Sequence, residues 1–348
     1  MIFRDIITYS SLFNLPFSPF METRTNTVTI PPAEDLVEVK KPTSLLVAQF
    51  FLFPLIIIAI CVGIFVLFGY LIYEQRGPNE YLTDIQTGSG STRWLAAVEL
   101  SNQISSNTKL KSPEFVQKVL ALYANSKDDD PRVRGFLAVS LGKLGDRQAV
   151  PVLLQGLDEA EALKNSPDTA GPNSLPQVIH NAFNDPQTLQ SERREAHIQN
   201  QIYTLMALGL IGDNAAVPGV LKHLRNDDAS VRKIAAYVLG YLNDPSAVHD
   251  LQVALNDVKD DVRWNAAIAL ARLGDASGAE MLRKVIDREQ LNAITDMTIE
   301  QKRELLVAAV QSLGLLKYEA ARDKIRQLSE TDPDLAVRNA SIEAMKKF

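Results

Sequence analysis

Apolar positions recur in one register through the second half of the chain. Val231-Arg232 leads into Ile234, Ala235, Val238, Leu239 and Leu242, and Val262-Arg263 into Ala266, Ala267, Leu270 and Leu273. Spacings of three and four residues predict helices with one buried stripe. The two copies stand 31 positions apart, measured from Arg232 to Arg263 or from Asp244 to Asp275. A fixed period of this size predicts stacked helix pairs, each too small to bury its apolar face without a neighbour.

The same helix is legible at Arg93, Arg134, Gln201 (where the arginine is replaced), Leu305–Leu316 in degenerate form, and Arg338, which makes seven inner helices in all. Partner helices are expected at Ala149–Leu157, Ala216–Leu224, Ala247–Leu255 and Ala279–Ile286, with Pro151 and Pro218 in first turns, where proline is tolerated. The recurring Gly-Asp pair ends one helix in a left-handed residue and starts the next turn. Asp-rich links at Asp128–Asp130, Asp227-Asp228 and Asp260-Asp261 supply N-caps. Asp130 and Arg134, Asp228 and Arg232, and Asp334 and Arg338 are four apart, so a cap carboxylate is expected to meet an arginine one turn on. These arginines read as a structural ladder rather than as anion binders, because they recur in register with the fold.

The motif Asp-x-x-Val-Arg, followed by an Ala/Leu-rich helix ending Leu-Gly-Asp, resembles the HEAT-like repeats first described in the phycobilisome lyases and found in many bacterial proteins. The resemblance covers residues 91–348 and is strongest over Gln201–Ile286. It implies an all-α fold, an α-solenoid of HEAT-like helix pairs. It carries no activity with it, since lyase subunits, scaffolds and adaptors share the fold. The array departs from its own period between Asp146 and Asp213, where residues 158–195 form an insert rich in Asn, Pro, Asp and Gln, with a short helix expected over Leu175–Phe183. A smaller excess lies around Glu289–Glu300.

Ahead of the repeats the pattern is different. Residues 1–44 hold five prolines and no sustained period, and read as a mostly disordered tail. Residues 1–20 are aromatic and matched to nothing downstream, so Met21 is an alternative start. Residues 45–73 carry no charge and one clearly polar side chain, Gln49, and predict a transmembrane helix that Pro54 would kink. Lys40 and Lys41 against Arg76 lean toward a single-pass protein of the inner (plasma) membrane with the tail cytoplasmic and the repeats outside. Residues 74–90, with Gly77, Pro78 and Thr87–Ser91, read as a flexible linker.

Composition removes several classes of function. The net charge is −6 and the repeats are themselves mildly acidic, so there is no basic field to grip nucleic acid. The single cysteine, Cys61, lies in the apolar run, which excludes a disulfide framework. His180, His197, His223 and His249 show no metal-ligand spacing, and there is no phosphate loop, nucleophile elbow or dinucleotide fingerprint. No catalytic residue, cofactor or metal is expected. Candidate partner-binding residues are Trp94 and Trp264, each following the template arginine where other copies have Gly135, Lys233 or Asn339, with Tyr203, Tyr237 and Tyr241 on the same helices. The reading is a membrane-anchored scaffold or adaptor that binds a protein partner on the inner-helix face or the insert. The alternatives are an accessory subunit of a membrane enzyme or transporter complex, and a lyase-type subunit.

Overall fold

The structure is a computed structural model that describes residues 52–72, 77–106, 110–127, 129–164 and 186–348. The chain divides into two units, Met1–Glu74 and Gln75–Phe348. Among the described residues all regular structure is helical.

In the first unit the described element is helix α1, Phe53–Ile72. Its described side chains, from Leu52 to Leu67, are all exposed, Cys61 among them. Pro54 lies in the first turn of the described helix, Phe53–Ile72. The spanning helix expected over residues 45–73 is corrected: among the described residues no helix is long and apolar enough to cross a membrane. The single-pass placement in the inner membrane does not hold. The tail over residues 1–44, including Met21, lies outside the described residues.

The second unit opens where a flexible linker was expected. Pro78–Thr87 forms helix α2, with Pro78 in the first turn and Leu82 and Ile85 buried. The three-residue spacing of those two apolar side chains outweighs the Gly, Ser and Pro around them, because α2 can dock on the next helix, α3, Gly90–Ser106. Beyond it the seven segments read as inner helices are all helical: α3, α5 (Pro131–Leu144), α7 (Pro186–Ile211), α9 (Ala229–Leu242), α11 (Asp260–Arg272), α14 (Ile299–Leu315) and α16 (Leu335–Met345). Each packs on the next. Outer helices alternate with them: α4 (Pro113–Ala124), α6 (Ala149–Lys164), α8 (Val217–Lys222), α10 (Val248–Ala254), α12 (Ala279–Val285) and α15 (Arg322–Thr331). The smaller excess contains the short helix α13, Arg288–Asn292. The ends of the long insert belong to α6 and α7, and its middle, with the helix expected over Leu175–Phe183 and with His180, lies outside the described residues.

Two backbone devices repeat. Gly142, Gly240 and Gly314 each face an alanine of the next inner helix. A Cβ added there would come within 2.7 Å of Ala207 Cα, 2.7 Å of Ala269 Cα and 2.6 Å of Ala344 Cβ, so only glycine admits these crossings. The helix stops use the left-handed region as expected, with Gly145, Gly212 and Gly274 at φ 74°, 69° and 77° and Asn243 taking the same place at 54°. The aspartate that follows accepts a backbone N–H two residues on, at Asp146, Asp213, Asp244 and Asp275.

The arginines form a ladder, but not the expected one. Asp130, Asp228 and Asp334 cap their helices by accepting backbone N–H groups. The first turn of α11 differs, with Lys259 at the cap position and Asp260 and Asp261 inside the helix. The arginine four residues after each cap bonds elsewhere. Arg232, Arg263 and Arg338 each donate from Nη1 to the carbonyl six residues back, on Asn226, Asp257 and Asp332, at 2.7, 2.7 and 2.6 Å. Arg134 also pairs with Glu159, and Arg232 with Asp257 through two bonds of 2.7 and 3.0 Å, each partner 25 residues on. Where Gln201 replaces the arginine, the residue 25 on is Asn226, whose Nδ2 donates to Gln201 Oε1 at 3.3 Å. Both amides also donate to the Glu161 carboxylate, Gln201 at 2.8 Å and Asn226 at 2.5 Å, so an acid is still met from within the chain. An i,i+4 bond would have tied the arginine within its own helix; the observed bonds tie it to the links on either side.

Asp257 joins two of these arginines, since its side chain takes Arg232 and its carbonyl takes Arg263. The bond from the Arg232 guanidinium holds its carboxyl below the ordinary carboxylate value. The folded carboxyl therefore ionises more readily than the unfolded one, and its contribution is present at neutral pH and lost as pH falls through the folded value. Asp257→Asn is expected to cost about 1–2 kcal/mol at neutral pH, a difference that closes as pH falls below about 4. Urea unfolding of the two proteins across pH reads it, and a gap that persists in acid would refute the assignment. Gly240→Val is expected to cost about 1–3 kcal/mol by overpacking against Ala269, read as a lower urea midpoint.

Candidate functional site

The fold's own requirements occupy most of each inner helix. Its buried stripe faces the outer helix, its small residues face the next inner helix, and its arginine is spent on the ladder. What is left to vary is a row of positions on the remaining face, one per helix.

The sequence candidates divide on this basis. Trp264 is a correction: it is 8% exposed and sits in a cluster with Leu305 and Leu306 of α14. The variety at its register position reflects complementary filling between inner helices, not exposure. In α5 the equivalent Gly135 leaves room that Tyr203 of α7 fills, a Cβ there lying 2.7 Å from Tyr203 Cδ2. In α9 Lys233 reaches Asp261 of α11 at 3.7 Å. Asn339, on the last inner helix, is exposed. Trp94 is half-buried against the core, with the Arg132 guanidinium 5.8 Å over its ring. Tyr203 is half-buried with its ring 5.1 Å from Phe136. These two therefore present an edge, not a whole ring.

Tyr237 and Tyr241 are brought together, ring centroids 4.6 Å apart, one turn apart on α9. Tyr241 is 51% exposed. Tyr237 is half-buried, and burial first, then the neighbouring Tyr241, pushes its hydroxyl well above the usual tyrosine value. Over them lies Arg272, at the C-terminal end of α11, its guanidinium carbon 4.0 Å from the Tyr241 centroid and 5.5 Å from that of Tyr237. Arg272 also borders a groove of about 250 Å³ between α11, α14 and α16, lined by Ile268, Gln311, Leu315, Glu343 and Lys347 as well.

Arg272 was missed by the sequence reading, although the repeat contains the signal. It stands nine positions after Arg263, and the same offset from the other template residues gives Asn102, Lys143, Leu210, Tyr241 and Lys347, with Leu315 following Gly314 as Tyr241 follows Gly240. The row reads amide, cation, aliphatic, aromatic, cation, aliphatic, cation. Leu210, Tyr241 and Leu315 are 41%, 51% and 47% exposed. Lys143 reaches back to α3, donating from Nζ to the Ser101 carbonyl at 2.8 Å, and burial lowers its amine below the usual lysine value.

The histidines do not join this face as a group. His197 is half-buried, with burial and then Arg134 lowering its value, His223 is buried and His249 exposed. Among the described residues no cluster of His, Cys, Asp and Glu could hold a metal ion.

Comparison with known proteins agrees with the repeat. Residues 217–300 match the family of HEAT repeats, and residues 133–159 match the PBS lyase HEAT-like repeat. None of the curated proteins matches the chain. Among solved structures, the complex of CpcE and CpcF of phycocyanin lyase from Nostoc is 19% identical, with 77% of this chain and 86% of that chain covered and a TM-score of 0.47. An engineered protein is 15% identical (78% and 95% covered, TM-score 0.34), and a designed armadillo repeat protein 14% identical (77% and 98% covered, TM-score 0.32). The chain carries HEAT-like repeats in an all-α helical array.

Proposed function

We propose that the second unit is a protein-interaction scaffold that holds a segment of a partner protein along its inner-helix face. The observation that carries the reading is the row Lys143, Leu210, Tyr241, Arg272, Leu315 and Lys347, where the copies differ while the rest of each copy serves the fold. Repeat arrays present long surfaces of this kind, and specificity rests on the positions the repeat leaves free. Aromatic side chains and arginine are the usual anchors of such surfaces, and Tyr241 and Arg272 supply both at one place. Trp94, Tyr203 and Tyr237 are secondary contacts, limited by their half-burial. The residues of the long insert are a second contact region, since insertions in repeat arrays lie on one face and often carry binding.

A photo-reactive benzoylphenylalanine placed at Tyr241 or Leu210 is expected to give a discrete cross-linked product in cells, and the same group at Lys222 on the outer helix α8 is expected to give none. Equal products from both faces, or a product from Lys222 alone, would sink the proposal.

A second reading, a lyase-type subunit, draws on the match of residues 133–159 to the PBS lyase HEAT-like repeat. It requires the chain to handle a tetrapyrrole. Incubation with a free bilin and a chromophore-free phycobiliprotein tests it: the scaffold reading expects no covalent transfer and no visible absorbance retained by the chain, and either signal would favour the lyase.

A further inference from the structure

The groove beside Arg272 has a definite electrostatic character. Four arginines elsewhere in the array reach across to carboxylates: Arg93 with Asp129, Arg134 with Glu159, Arg232 with Asp257, Arg288 with Asp332. Among the described residues Arg272 has no such partner. It is held by two tyrosine rings, and its Nη1 is covered without accepting group. Lys347, on the far side of the groove, also has no ion pair among the described residues. The one acid of the lining, Glu343, is already bonded to Lys346 at 2.5 Å. The remaining lining mixes apolar side chains, the buried Ile268 and the exposed Leu315 among them, with the polar Gln311 and Ser312.

We infer that this groove takes a carboxylate side chain of an acidic peptide segment with an aliphatic neighbour, the carboxylate meeting Arg272 and Lys347 and the aliphatic group resting on Leu315 and Ile268. The inference rests on the proposed scaffold function and names the chemistry of its partner. A guanidinium pairs strongly with a carboxylate, here through the nitrogens other than the covered Nη1, and stacking on Tyr241 orients the group before the ligand arrives, which reduces the ordering cost of binding. A cationic segment would meet two unpaired cations. A polyanion such as nucleic acid would meet a chain of net charge −6. Side-chain volume limits the occupant as well, since a groove of about 250 Å³ has room for side chains and not for a folded element.

The test is a selection of a random dodecapeptide phage library on the full chain, followed by fluorescence anisotropy on the best synthetic peptide. The enriched peptides are expected to carry Asp or Glu within two positions of Leu, Ile or Val. Replacing that acid by its amide, or Arg272→Gln in the protein, is expected to weaken binding by about tenfold or more, and the two changes together by little more than either alone. Lys347→Gln is expected to weaken it by a smaller factor, and it carries the test, together with the amide peptide, if Arg272→Gln does not fold. Arg147→Gln, at an exposed arginine on a turn, is expected to leave binding unchanged. Enrichment without an acid, enrichment unaltered by Arg272→Gln, or no enrichment would each overturn the inference. The scaffold reading stands or falls separately, on cross-linking at Tyr241.

Discussion

At three of the six junctions between inner helices, one helix touches the next at a point where one side contributes no side chain and the other a single methyl group. Gly142 against Ala207, Gly240 against Ala269 and Gly314 against Ala344 set the backbones close enough that an added carbon would strike the neighbour. A helix pair alone cannot bury its apolar stripe, so the repeats that meet at these points depend on this approach. The ladder follows from it. Once the helices are this close, the links between repeats lie near one another, and an arginine can reach the carbonyl six residues back and a side chain 25 residues on. Close approach also fixes what remains outside. The residue after each of these glycines, Lys143, Tyr241 or Leu315, is turned away from the crossing.

Much of this was legible because the repeat reports its own geometry. The period, the seven inner helices, the left-handed stops and the aspartate caps are local demands written once per copy. Asn243 in place of glycine shows that the demand is for a conformation rather than for a residue type. Where the expectation failed, a short-range rule was applied to a long-range fact. Asp228 and Arg232 satisfy the spacing for an ion pair within a helix, yet Arg232 finds Asp257 in the next link, and the carbonyl of Asn226, more rewarding. Trp264 seemed exposed because its position accepts glycine elsewhere, but the glycine at that position is sealed by Tyr203 from the neighbouring helix. Composition misled at Pro78–Thr87, where buried Leu82 and Ile85 decide the matter. At the apolar run the expected span is not met, since no helix among the described residues is long and apolar enough to cross a membrane.

The candidate site was half legible for the same reason. Tyr241 could be named from its type, but Arg272 looked like one more arginine in a sequence where arginine belongs to the ladder. Register separates them. The ladder arginines stand at the helix start, beside the carbonyls and carboxylates of the links, whereas Arg272 stands nine residues on, at the opposite end of the helix. At that end the neighbouring inner helix offers Tyr237 and Tyr241 instead of a link. The guanidinium is therefore fixed by ring faces, which satisfy its packing without consuming its charge.

A buried or half-buried charge is normally retained only when something answers it. In the rest of the array the answer lies within the chain: where Gln201 stands in place of the arginine, it and Asn226 both donate to the Glu161 carboxylate. An acid met from within the chain in this way marks a contact that serves the fold. Arg272 lacks a matched residue: the position across the groove holds Lys347, and the nearby acid is bonded to Lys346. A cation held in place by aromatic rings, without an acid among the described residues where Arg93, Arg134, Arg232 and Arg288 each have one, is what the proposed acidic ligand would answer.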